Sequence, residues 1–335
     1  MSFWNDKRTL VTGGTGFLGS HVVQALREQG CQEVVTVGSR DYDLTKEENA
    51  IRLLEDTRPD IVIHLAGLVG GILANRERAA EFFYQNLTMG TFILHHSWRL
   101  GVRKFVAAGA GCGYPEHAPM PLKEGDFWSG FPQEVSAPYS LAKRLLSVQS
   151  MAYYRQYGFV SIITIPGNIY GPHDNFDLEA SHVVPALVRK FVDAVERGDE
   201  EVRVWGTGRP TRDFVYAGDV AGGMLRAAER YELPELVNLS SGVETSIREL
   251  VDTLTELTRF SGRVVWDTDR PDGQLRRCFD VTKARRELDF QPQVDLREGL
   301  GLTAAWYKEN RATARLAVLK VLAKEGTADQ GRMPQ

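Results

Sequence analysis

Three glycines at intervals of three residues, Gly13, Gly16 and Gly19, constrain this chain more than any other feature of its sequence. They follow a strand-like segment at residues 7–12 and precede an apolar pattern with helical spacing that ends at Gly30. Glycine at a strand-to-helix junction permits a tight turn and a close approach of the backbone to a pyrophosphate, while the helix N-terminus offers unpaired N–H groups. Glycine-rich turns are common, so the prediction of a dinucleotide site depends on the position of this turn between a strand and a helix.

Strand-like and helix-like segments alternate along the first half of the chain. Strands are predicted at residues 33–37, 60–65, 104–108 and 161–166, and helices at residues 82–100 and 139–157, with a shorter helical stretch at 51–54. Such alternation is typical of a parallel sheet covered by helices on both faces. The sequence therefore predicts an α/β protein with a Rossmann-type, doubly wound parallel sheet.

The regular alternation ends near residue 170. Two later stretches, residues 202–206 and 262–266, have strand character and are separated by helical segments. We predict a dinucleotide-binding domain at residues 1–170, to which some later segments return, and a smaller α/β substrate lobe at residues 171–310. Residues 311–335 are expected to form a helical extension and a disordered tail.

The composition is that of an ordinary globular protein, since 43% of the 335 residues are hydrophobic and 25% are charged. The formal net charge of -4 is too mild to indicate a nucleic-acid or membrane-surface partner, so an anionic substrate requires a local cluster of Arg and Lys. Cys31, Cys112 and Cys278 are far apart and form no CxxC pair, so neither a metal site nor a disulfide framework is predicted. The sequence shows no signal segment and no apolar run long enough to span a bilayer, which favours a cytoplasmic protein.

The residues that end the second predicted strand discriminate between the two nicotinamide cofactors. An acidic residue at this point would hold a ribose 2′-hydroxyl. Ser39 and Arg40 occur there instead, and a hydroxyl with a guanidinium suits a 2′-phosphate. NADP is therefore predicted. The alternative is that Arg40 is an ordinary surface arginine neutralised by Asp41.

Tyr139 and Lys143 are four residues apart near the start of a predicted helix, which places them on one face. A tyrosine with a pKa of ~10 is a poor acid–base catalyst at neutral pH. A neighbouring ammonium stabilises the phenolate, so we expect Lys143 to lower the pKa of Tyr139. Tyr139 could then exchange a proton with a sugar oxygen while hydride moves to or from a nicotinamide. A surface pair without function is the alternative.

The glycine turn and the Tyr139–Lys143 pair together resemble the extended short-chain dehydrogenase/reductases, most of which act on nucleotide sugars. A closer resemblance, over residues 8–309, is to the GDP-L-fucose synthases, which are 3,5-epimerase/4-reductases of a GDP-4-keto-6-deoxy sugar. Its markers are Gly70-Gly71-Ile72 with Asn75, Tyr84-Gln85-Asn86, Cys112 with Tyr114-Pro115, YGPHDNF at 170–176, SHVVPA at 181–186, Val204-Trp205-Gly206 with Arg212, and Pro271-Asp272-Gly273 with Arg276. The resemblance implies NADPH as cofactor, a GDP-linked keto sugar as substrate and a homodimer built on the helices at 82–100 and 139–157.

The same resemblance implies which residues contact each ligand. The cofactor contacts are Gly13, Thr15, Gly16, Phe17, Leu18, Gly19, Ser39, Arg40, Asp43, Leu44, Leu65, Ala66, Gly67, Tyr139, Lys143, Pro166, Asn168 and Ile169. The substrate contacts are Asn168, Val183, Lys190, Trp205, Arg212 and Arg276. The apolar candidates for a dimer contact are Phe82, Phe83, Phe92 and Tyr153, which core packing explains equally well. Trp205 could likewise fill a core, and Arg212 could form a salt bridge to Asp213 or Asp219.

In the GDP-L-fucose synthases a cysteine and a histidine move protons at the sugar carbons beside the ketone. The motifs of this chain assign those roles to Cys112 and His182. A 4-keto group acidifies the protons on C3 and C5, and inversion needs removal on one face and delivery on the other. A thiol with a pKa of ~8.5 and an imidazole with a pKa of ~6.5 suit this exchange near neutrality. The alternatives are a buried filler cysteine and a histidine that caps a helix.

One position departs from the family pattern. The family carries Ser or Thr two residues before the cysteine, hydrogen-bonded to the oxygen on the reduced carbon, whereas this chain has Ala110. Loss of such a donor typically costs about 10² to 10³ in rate, or about 3–4 kcal/mol. Three interpretations stay open: Ala110 replaces a natural Ser or Thr, the enzyme mainly epimerises, or Tyr139 or a water suffices.

Other functions in this fold fit the sequence less well. A 4,6-dehydratase needs an Asp-Glu pair just after the fourth strand, where this chain has Cys112-Gly113. A plain 4-epimerase keeps Ser or Thr in this loop and does not need Cys112 with His182. A cofactor-bound protein without turnover is supported by Ala110 alone, and the presence of Tyr139, Lys143, Cys112 and His182 argues against it.

Overall fold

The structure is a computed structural model that describes residues 2–178, 181–270 and 272–314. Its strands are β1 (Arg8–Thr12), β2 (Glu33–Val37), β3 (Ile61–His64), β4 (Lys104–Ala108), β5 (Ser161–Pro166), β6 (Asn168–Tyr170), β7 (Glu201–Trp205), β8 (Thr211–Tyr216), β9 (Leu236–Leu239), β10 (Glu244–Ser246), β11 (Arg263–Asp267) and β12 (Arg276–Arg277). Its helices are α1 (Phe17–Glu28), α2 (Glu47–Thr57), α3 (Ile72–Glu77), α4 (Ala79–Arg99), α5 (Ala137–Tyr157), α6 (Val183–Arg197), α7 (Ala217–Arg230), α8 (Ile247–Thr258), α9 (Thr282–Leu288) and α10 (Leu296–Asn310). The predicted helix and tail at 311–335 fall almost entirely outside the described residues.

The main sheet has six parallel strands in the order β2-β1-β3-β4-β5-β9. The order reverses at β1, so the connections from β1 to β2 and from β2 to β3 run on opposite sides. Thr12 pairs with both Val37 and His64, which brings the carboxyl ends of three strands to one point. In open α/β sheets this reversal is where ligands bind.

Helices cover both faces of the main sheet and bury its apolar strands. On one face α1 and α7 pack together through a core that includes Val22, Leu26 and Met224. On the other face α2, α4 and α5 enclose a core that includes Leu94 and Leu146. The predicted α/β fold with a doubly wound parallel sheet is confirmed.

A smaller layer lies beyond β5 in the chain. β8 is central to a second sheet, in which β6 and β12 pair with it in parallel and β10 pairs antiparallel, while β7 and β11 form a separate parallel pair. Helices α6, α8 and α10 pack over these strands around a third apolar core. Since only Gly167 separates β5 from β6, the carboxyl edge of the main sheet leads directly into this second sheet.

The sequence located the first five strands of the main sheet to within one residue at either end, but it missed the sixth. β9 comprises only four residues, Leu236–Leu239, and follows a proline and a glutamate. So short an apolar run carries no period that separates strand from helix. β9 is nevertheless fully buried, and it pairs with β5 from Ile163 to Pro166.

Asp213 joins the second sheet to the main one. Its side chain is completely buried on β8 and accepts hydrogen bonds from the backbone N–H groups of Ser241 (3.0 Å), Gly242 (3.1 Å) and Phe279 (3.2 Å). These groups belong to the segments that follow β9 and β12. One carboxylate therefore fixes two chain segments against the strand that carries Arg212.

We predict that Asp213→Ala lowers the free energy of unfolding by about 3 kcal/mol, because several buried N–H groups lose their acceptor at once. Urea unfolding of the purified variant measures this. Asp252→Ala is the matched control, because Asp252 is exposed on α8 and its removal should change stability by less than about 0.5 kcal/mol. An equal effect of the two substitutions contradicts this account of Asp213.

Candidate active site

The glycine turn packs against the backbone more closely than any side chain permits. A Cβ on Gly19 would lie 2.1 Å from the carbonyl oxygen of Gly13, and a Cβ on Gly13, whose φ is +71°, would lie 2.8 Å from the nitrogen of Ala66. α1 begins at Phe17, and neither a side-chain cap at Gly16 nor an acidic residue in the first turn occupies its N-terminal N–H groups. The turn thus leads into a helix start without a side-chain cap, which places the positive end of a helix at the strand reversal.

The loop after β3 lies beside this turn. Leu65 N donates to Thr12 O (3.0 Å), and Ala66 N donates to Thr12 Oγ1 (3.3 Å). The same hydroxyl lies 2.8 Å from Nδ1 of His64, and burial lowers the pKa of His64 to about 3, with a smaller effect from the charge of Lys143. His64 is therefore a neutral structural histidine that holds the Leu65–Gly67 segment against the glycine turn.

Ser39 and Arg40 follow β2 on the protein surface, and both side chains are exposed to solvent. No acidic side chain among the described residues lies within salt-bridge distance of Arg40, so the alternative that Asp41 neutralises it has no support. Asp43 accepts hydrogen bonds from the N–H (3.1 Å) and hydroxyl (2.6 Å) of Thr45, while Leu44 is buried in the core under α2. A 2′-phosphate site at Ser39 and Arg40 stays a prediction.

Lys143 reaches the carboxyl edge of the main sheet from α5. Its Nζ donates to the carbonyl oxygen of Ala108 at the end of β4 (3.3 Å). A Cβ built on Gly67 would lie 3.4 Å from this Nζ and 2.9 Å from Oδ1 of Asn86, an atom without a hydrogen-bond partner in the described part of the chain. Because Gly67 has no side chain, the ammonium of Lys143 and the amide oxygen of Asn86 can both lie beside it, next to the glycine turn. Asn86 was a family marker, but its place in the site was not predicted.

The electrostatics of Tyr139 differ from the expectation. Its pKa is raised, not lowered, chiefly because burial disfavours the phenolate, and the charge of Cys112 adds to this effect. Burial also lowers the pKa of Lys143 to about 8. Desolvation therefore decides the direction of the shift at Tyr139, opposite to the lowering expected from Lys143. Tyr139 therefore stays protonated, which is the form that donates a proton.

Cys112 lies in a three-residue 3₁₀ turn, Gly111–Gly113, that follows β4. It is partly accessible, unlike the buried Cys31 and Cys278. The loop that leads to it packs tightly, because a Cβ on Gly109 or Gly111 would meet Ile165 or Phe279 at 2.5 and 2.8 Å. The filler interpretation of Cys112 is not supported.

Ala110, inside this loop, is extended and 7% exposed, and its methyl group offers no donor. Cys112 interacts electrostatically with three cations, Lys143, Arg144 and Arg277. Cys112 thus lies in a positively charged part of the site.

Two arginines on neighbouring strands face the same side. Arg212 on β8 pairs with Arg277 on β12, and residues opposite each other in a parallel pair point the same way. Burial lowers the pKa of both guanidinium groups, and the charge of Arg277 lowers that of Arg212 further. Nε of Arg277 has no partner among the described residues. The salt bridges considered for Arg212 are not formed, since Asp213 binds backbone amides and Asp219 binds those of Gln293 and Val294.

Arg277 was not among the predicted substrate residues. Its neighbour Arg276, which was, points to the opposite side of β12 and forms a bidentate salt bridge with Glu244. Successive side chains of a strand point to opposite faces, so a recognised strand would have assigned the two arginines to different faces. β12 has only two residues, which is too short for its sequence to show an alternating pattern.

Trp205 is 55% exposed, which excludes its alternative role as core filler. Nζ of Lys190 lies 5.3 Å and the guanidinium of Arg270 5.1 Å from its ring centroid. An aromatic face between two cations suits a flat, anionic nucleotide. Lys190 also donates to the carbonyl of Arg203 (3.0 Å).

α6 begins at Val183, and His182 directly precedes it. His182 occupies the N-cap position, but its side chain accepts no capping hydrogen bond, so the imidazole is not used as a cap. His182 is exposed to solvent, but the protein atoms around its imidazole partly desolvate it and so lower its pKa. This combination is typical of a side chain in a cleft. Val183 is also exposed. A pairing of His182 with Cys112 across a sugar stays a prediction.

Asn168 and Ile169 lie on β6, directly after Pro166, the last residue of β5. Nδ2 of Asn168 donates to the carbonyl of Asp213 (2.9 Å), which fixes the amide beside β8. Of the remaining predicted cofactor residues, Thr15 lies in the glycine turn and Leu18 in the first turn of α1. The described residues contain no group of three or more His, Cys, Asp or Glu side chains that could hold a metal ion.

Comparisons with known proteins agree with this geometry. A model of the NAD dependent epimerase/dehydratase family matches residues 9–240. GDP-L-fucose synthase 1 from Arabidopsis thaliana is 38% identical over 312 residues, which cover 92% of this chain and 96% of that protein. GDP-L-fucose synthase from Escherichia coli is 34% identical over 92% of this chain and 98% of its own length.

Solved structures extend the similarity. A GDP-L-fucose synthetase from Naegleria fowleri bound to NADP superimposes with a TM-score of 0.86 at 30% identity, covering 94% of this chain and 98% of that one. A GDP-6-OMe-4-keto-L-xylo-heptose reductase from C. jejuni gives the same TM-score at 26% identity, over 92% and 100%. With a family model matched over most of its length and relatives similar from end to end, the chain belongs to the NAD dependent epimerase/dehydratase family, in which it is a GDP-L-fucose synthase-like member.

Proposed function

We propose that this protein is an NADPH-dependent 3,5-epimerase/4-reductase of a GDP-4-keto-6-deoxy sugar. The observation that carries the proposal is the convergence of a proton donor, an ammonium and an accessible thiol beside the glycine turn. Tyr139 and Lys143 each interact electrostatically with Cys112. Relatives named GDP-L-fucose synthase match nearly the whole chain, which supports the same activity.

The cofactor fits the residues at the strand reversal. The start of α1 at Phe17 and Leu18, which has no side-chain cap, suits a pyrophosphate, and the exposed Ser39 and Arg40 suit a 2′-phosphate. When bound, NADPH supplies the hydride that reduces the C4 carbonyl. The structural similarity to a synthetase bound to NADP supports this choice.

Epimerisation is the work of Cys112 and His182. One of the two removes the proton on C3 or C5, the electrons move into the adjacent ketone, and the other returns a proton to the opposite face of the carbon. Lys143, Arg144 and Arg277 all interact electrostatically with Cys112, so positive charge surrounds the thiol that would exchange this proton. The lowered pKa of His182 keeps the free imidazole neutral, so a proton that it gains is readily passed on.

Reduction uses Tyr139 and Lys143. Tyr139 is protonated and gives its hydroxyl proton to O4 as hydride reaches C4, so the ketone becomes a hydroxyl and a phenolate remains. The ammonium of Lys143 stabilises this phenolate. The absence of a side chain at Gly67 leaves room next to Asn86, where Lys143 approaches the cofactor site.

The nucleotide end of the substrate fits the second sheet. Arg212 and Arg277, side by side and incompletely paired, suit the diphosphate, and Trp205 with Lys190 suits the base. Asn168, held by the carbonyl of Asp213, lies near the reactive sugar.

A second candidate function is epimerisation with weak or absent reduction, on this or another keto-sugar nucleotide such as a heptose. Ala110 is the observation that favours it, because a methyl group stands where a hydroxyl donor is expected. The relatives that match the whole chain favour the complete reaction.

We also propose a cytoplasmic homodimer that pairs through α4 and α5. Tyr84, Leu145 and Val148 on these helices are 59, 41 and 39% exposed and form an apolar surface. Of the four aromatic residues predicted for this contact, Phe82 is fully buried inside the chain against α5, so it serves the core. No helix of the described residues is long and apolar enough to cross a membrane.

The decisive experiment incubates the protein with GDP-4-keto-6-deoxymannose in deuterated water, with and without NADPH. We expect deuterium at C3 and C5 in both cases and loss of absorbance at 340 nm when NADPH is present, because exchange needs only Cys112 and His182. Deuterium without NADPH oxidation supports the second candidate function. No deuterium at either carbon contradicts the assignment of Cys112 and His182 for this substrate.

Ala110→Ser tests the missing donor. A hydroxyl at this position can stabilise the charge that develops on O4, so we expect NADPH oxidation to accelerate by roughly 10- to 100-fold while deuterium exchange changes little. Steady-state kinetics at saturating substrate measure both. Ala152→Ser, which adds the same hydroxyl on the exposed side of α5, should change neither rate. If Ala110→Ser leaves reduction unchanged, Tyr139 or a water already supplies the donor.

A further inference from the structure

The geometry points to Arg144 as a positioning residue that, together with Ser140, fixes the turn carrying Cys112. This inference rests on the proposed function, in which Cys112 moves protons. α5 then carries two pairs of residues, each with a spacing of four. Tyr139 and Lys143 act at the carbon that is reduced. Ser140 and Arg144, each one position later, hold the turn of the epimerisation residue Cys112.

The turn needs external support because of its composition. Glycine occurs at 109, 111 and 113, and glycine loses more backbone freedom on ordering than any other residue. Within the turn itself, two backbone bonds close the loop, from Gly113 N to Ala110 O (2.9 Å) and from Tyr114 N to Gly111 O (3.2 Å), and neither involves the backbone of Cys112. A proton-transfer group must stay within hydrogen-bond reach of its carbon, so a loose turn would reduce its effectiveness.

α5 holds the two consecutive carbonyls at and after Cys112. Ser140 Oγ donates to Cys112 O (3.0 Å), and Arg144 Nε donates to Gly113 O (2.5 Å). Arg144 Nη1 also donates to Gly130 O (2.9 Å), which ties the turn to the loop after Phe127. The turn is thus bonded to the same helix that carries Tyr139 and Lys143.

Arginine is well suited to this task. Its planar guanidinium can donate to two carbonyls in fixed directions, which a lysine ammonium on a flexible chain cannot do as rigidly. The group is 3% exposed and lies 5.1 Å from the ring centroids of both Phe127 and Trp128. Gly113 leaves the space that these groups fill, since a Cβ there would lie 2.8 Å from Phe127 Cζ.

The charge of Arg144 adds to its hydrogen bonds. The guanidinium of Arg144 interacts electrostatically with Cys112, and Nη2 of Arg144 has no partner among the described residues. The other cations that interact with Cys112 are Lys143 on α5 and Arg277 on β12. Arg144 is the member of this set whose hydrogen bonds go to the Cys112 turn, so its removal should affect both the position of the thiol and the positive charge beside it.

The test compares Arg144→Gln, Arg144→Lys and Ser140→Ala in the full-length protein with NADPH bound. We expect Arg144→Gln to lower kcat for deuterium exchange at C3 and C5 by roughly 10- to 100-fold, the usual effect of losing a residue that orients a reactive group. KM for the sugar nucleotide and the Kd for NADPH should stay within about twofold. Arg144→Lys should give an intermediate loss, because it keeps the charge but not the fork. Arg155→Gln, on the exposed last turn of α5, is the matched control and should change nothing.

Alkylation of Cys112 by iodoacetamide, followed by peptide mass spectrometry, gives a readout that needs no substrate. Cys31 and Cys278 are buried and serve as internal references. We expect Arg144→Gln to slow alkylation by roughly threefold or more and Arg144→Lys to preserve most of the rate. If the wild-type protein shows no deuterium exchange, the proposed function fails, and alkylation still decides the role of Arg144.

Unchanged exchange and alkylation in Arg144→Gln would overturn the inference, as would a loss that merely follows a lower Tm and weaker NADPH binding. If Arg144→Gln does not fold, Ser140→Ala decides instead, because it removes a single hydrogen bond. A selective loss of exchange in that variant supports the positioning role, and unchanged exchange overturns it.

Discussion

The site depends on the contact between Lys143 and the carboxyl edge of the main sheet. An ammonium in a buried place needs an acceptor, and the carbonyl of Ala108 supplies one at 3.3 Å. Burial nevertheless lowers the pKa of Lys143 to about 8, so its charge is retained near neutrality but is easily lost above it. The contact ties α5 to the end of β4, four residues after Tyr139 on the same helix. A Cβ at Gly67 would lie 2.9 Å from Oδ1 of Asn86, next to Lys143, which links the loop after β3 to the same arrangement.

Two chemistries share this single helix. Tyr139 and Lys143 face the cofactor turn, while Ser140 bonds the carbonyl of Cys112. Because the turn that carries Cys112 follows β4 and packs against α5, the proposed epimerisation and reduction would occur at neighbouring carbons of a sugar bound once. Positive charge from Lys143, Arg144 and Arg277 would assist both proposed reactions, since each passes through an anionic group, an enolate in one case and a phenolate in the other.

Sequence patterns predicted the features that depend on long strands and on glycine spacing. They missed the features that depend on very short strands. The glycine turn and the strand Ser161–Pro166 were found because glycine spacing and β-branched runs carry their own signal. Leu236–Leu239 and the orientation of Arg277 were missed, because pairing with distant strands defines them. The lowered pKa expected for Tyr139 failed for a related reason: a sequence spacing shows which charge is near, but only the packed structure shows how much solvent is lost.

We propose that one site contains two separable proton-transfer functions. Deuterium incorporation and NADPH oxidation in Cys112→Ser and Tyr139→Phe test this directly. Each variant is given GDP-4-keto-6-deoxymannose and, separately, the same sugar already inverted at C3 and C5. The account predicts that Cys112→Ser loses exchange but still reduces the inverted sugar, whereas Tyr139→Phe exchanges deuterium but does not oxidise NADPH. Loss of both reactions in both variants, with folding and NADPH binding intact, would contradict it.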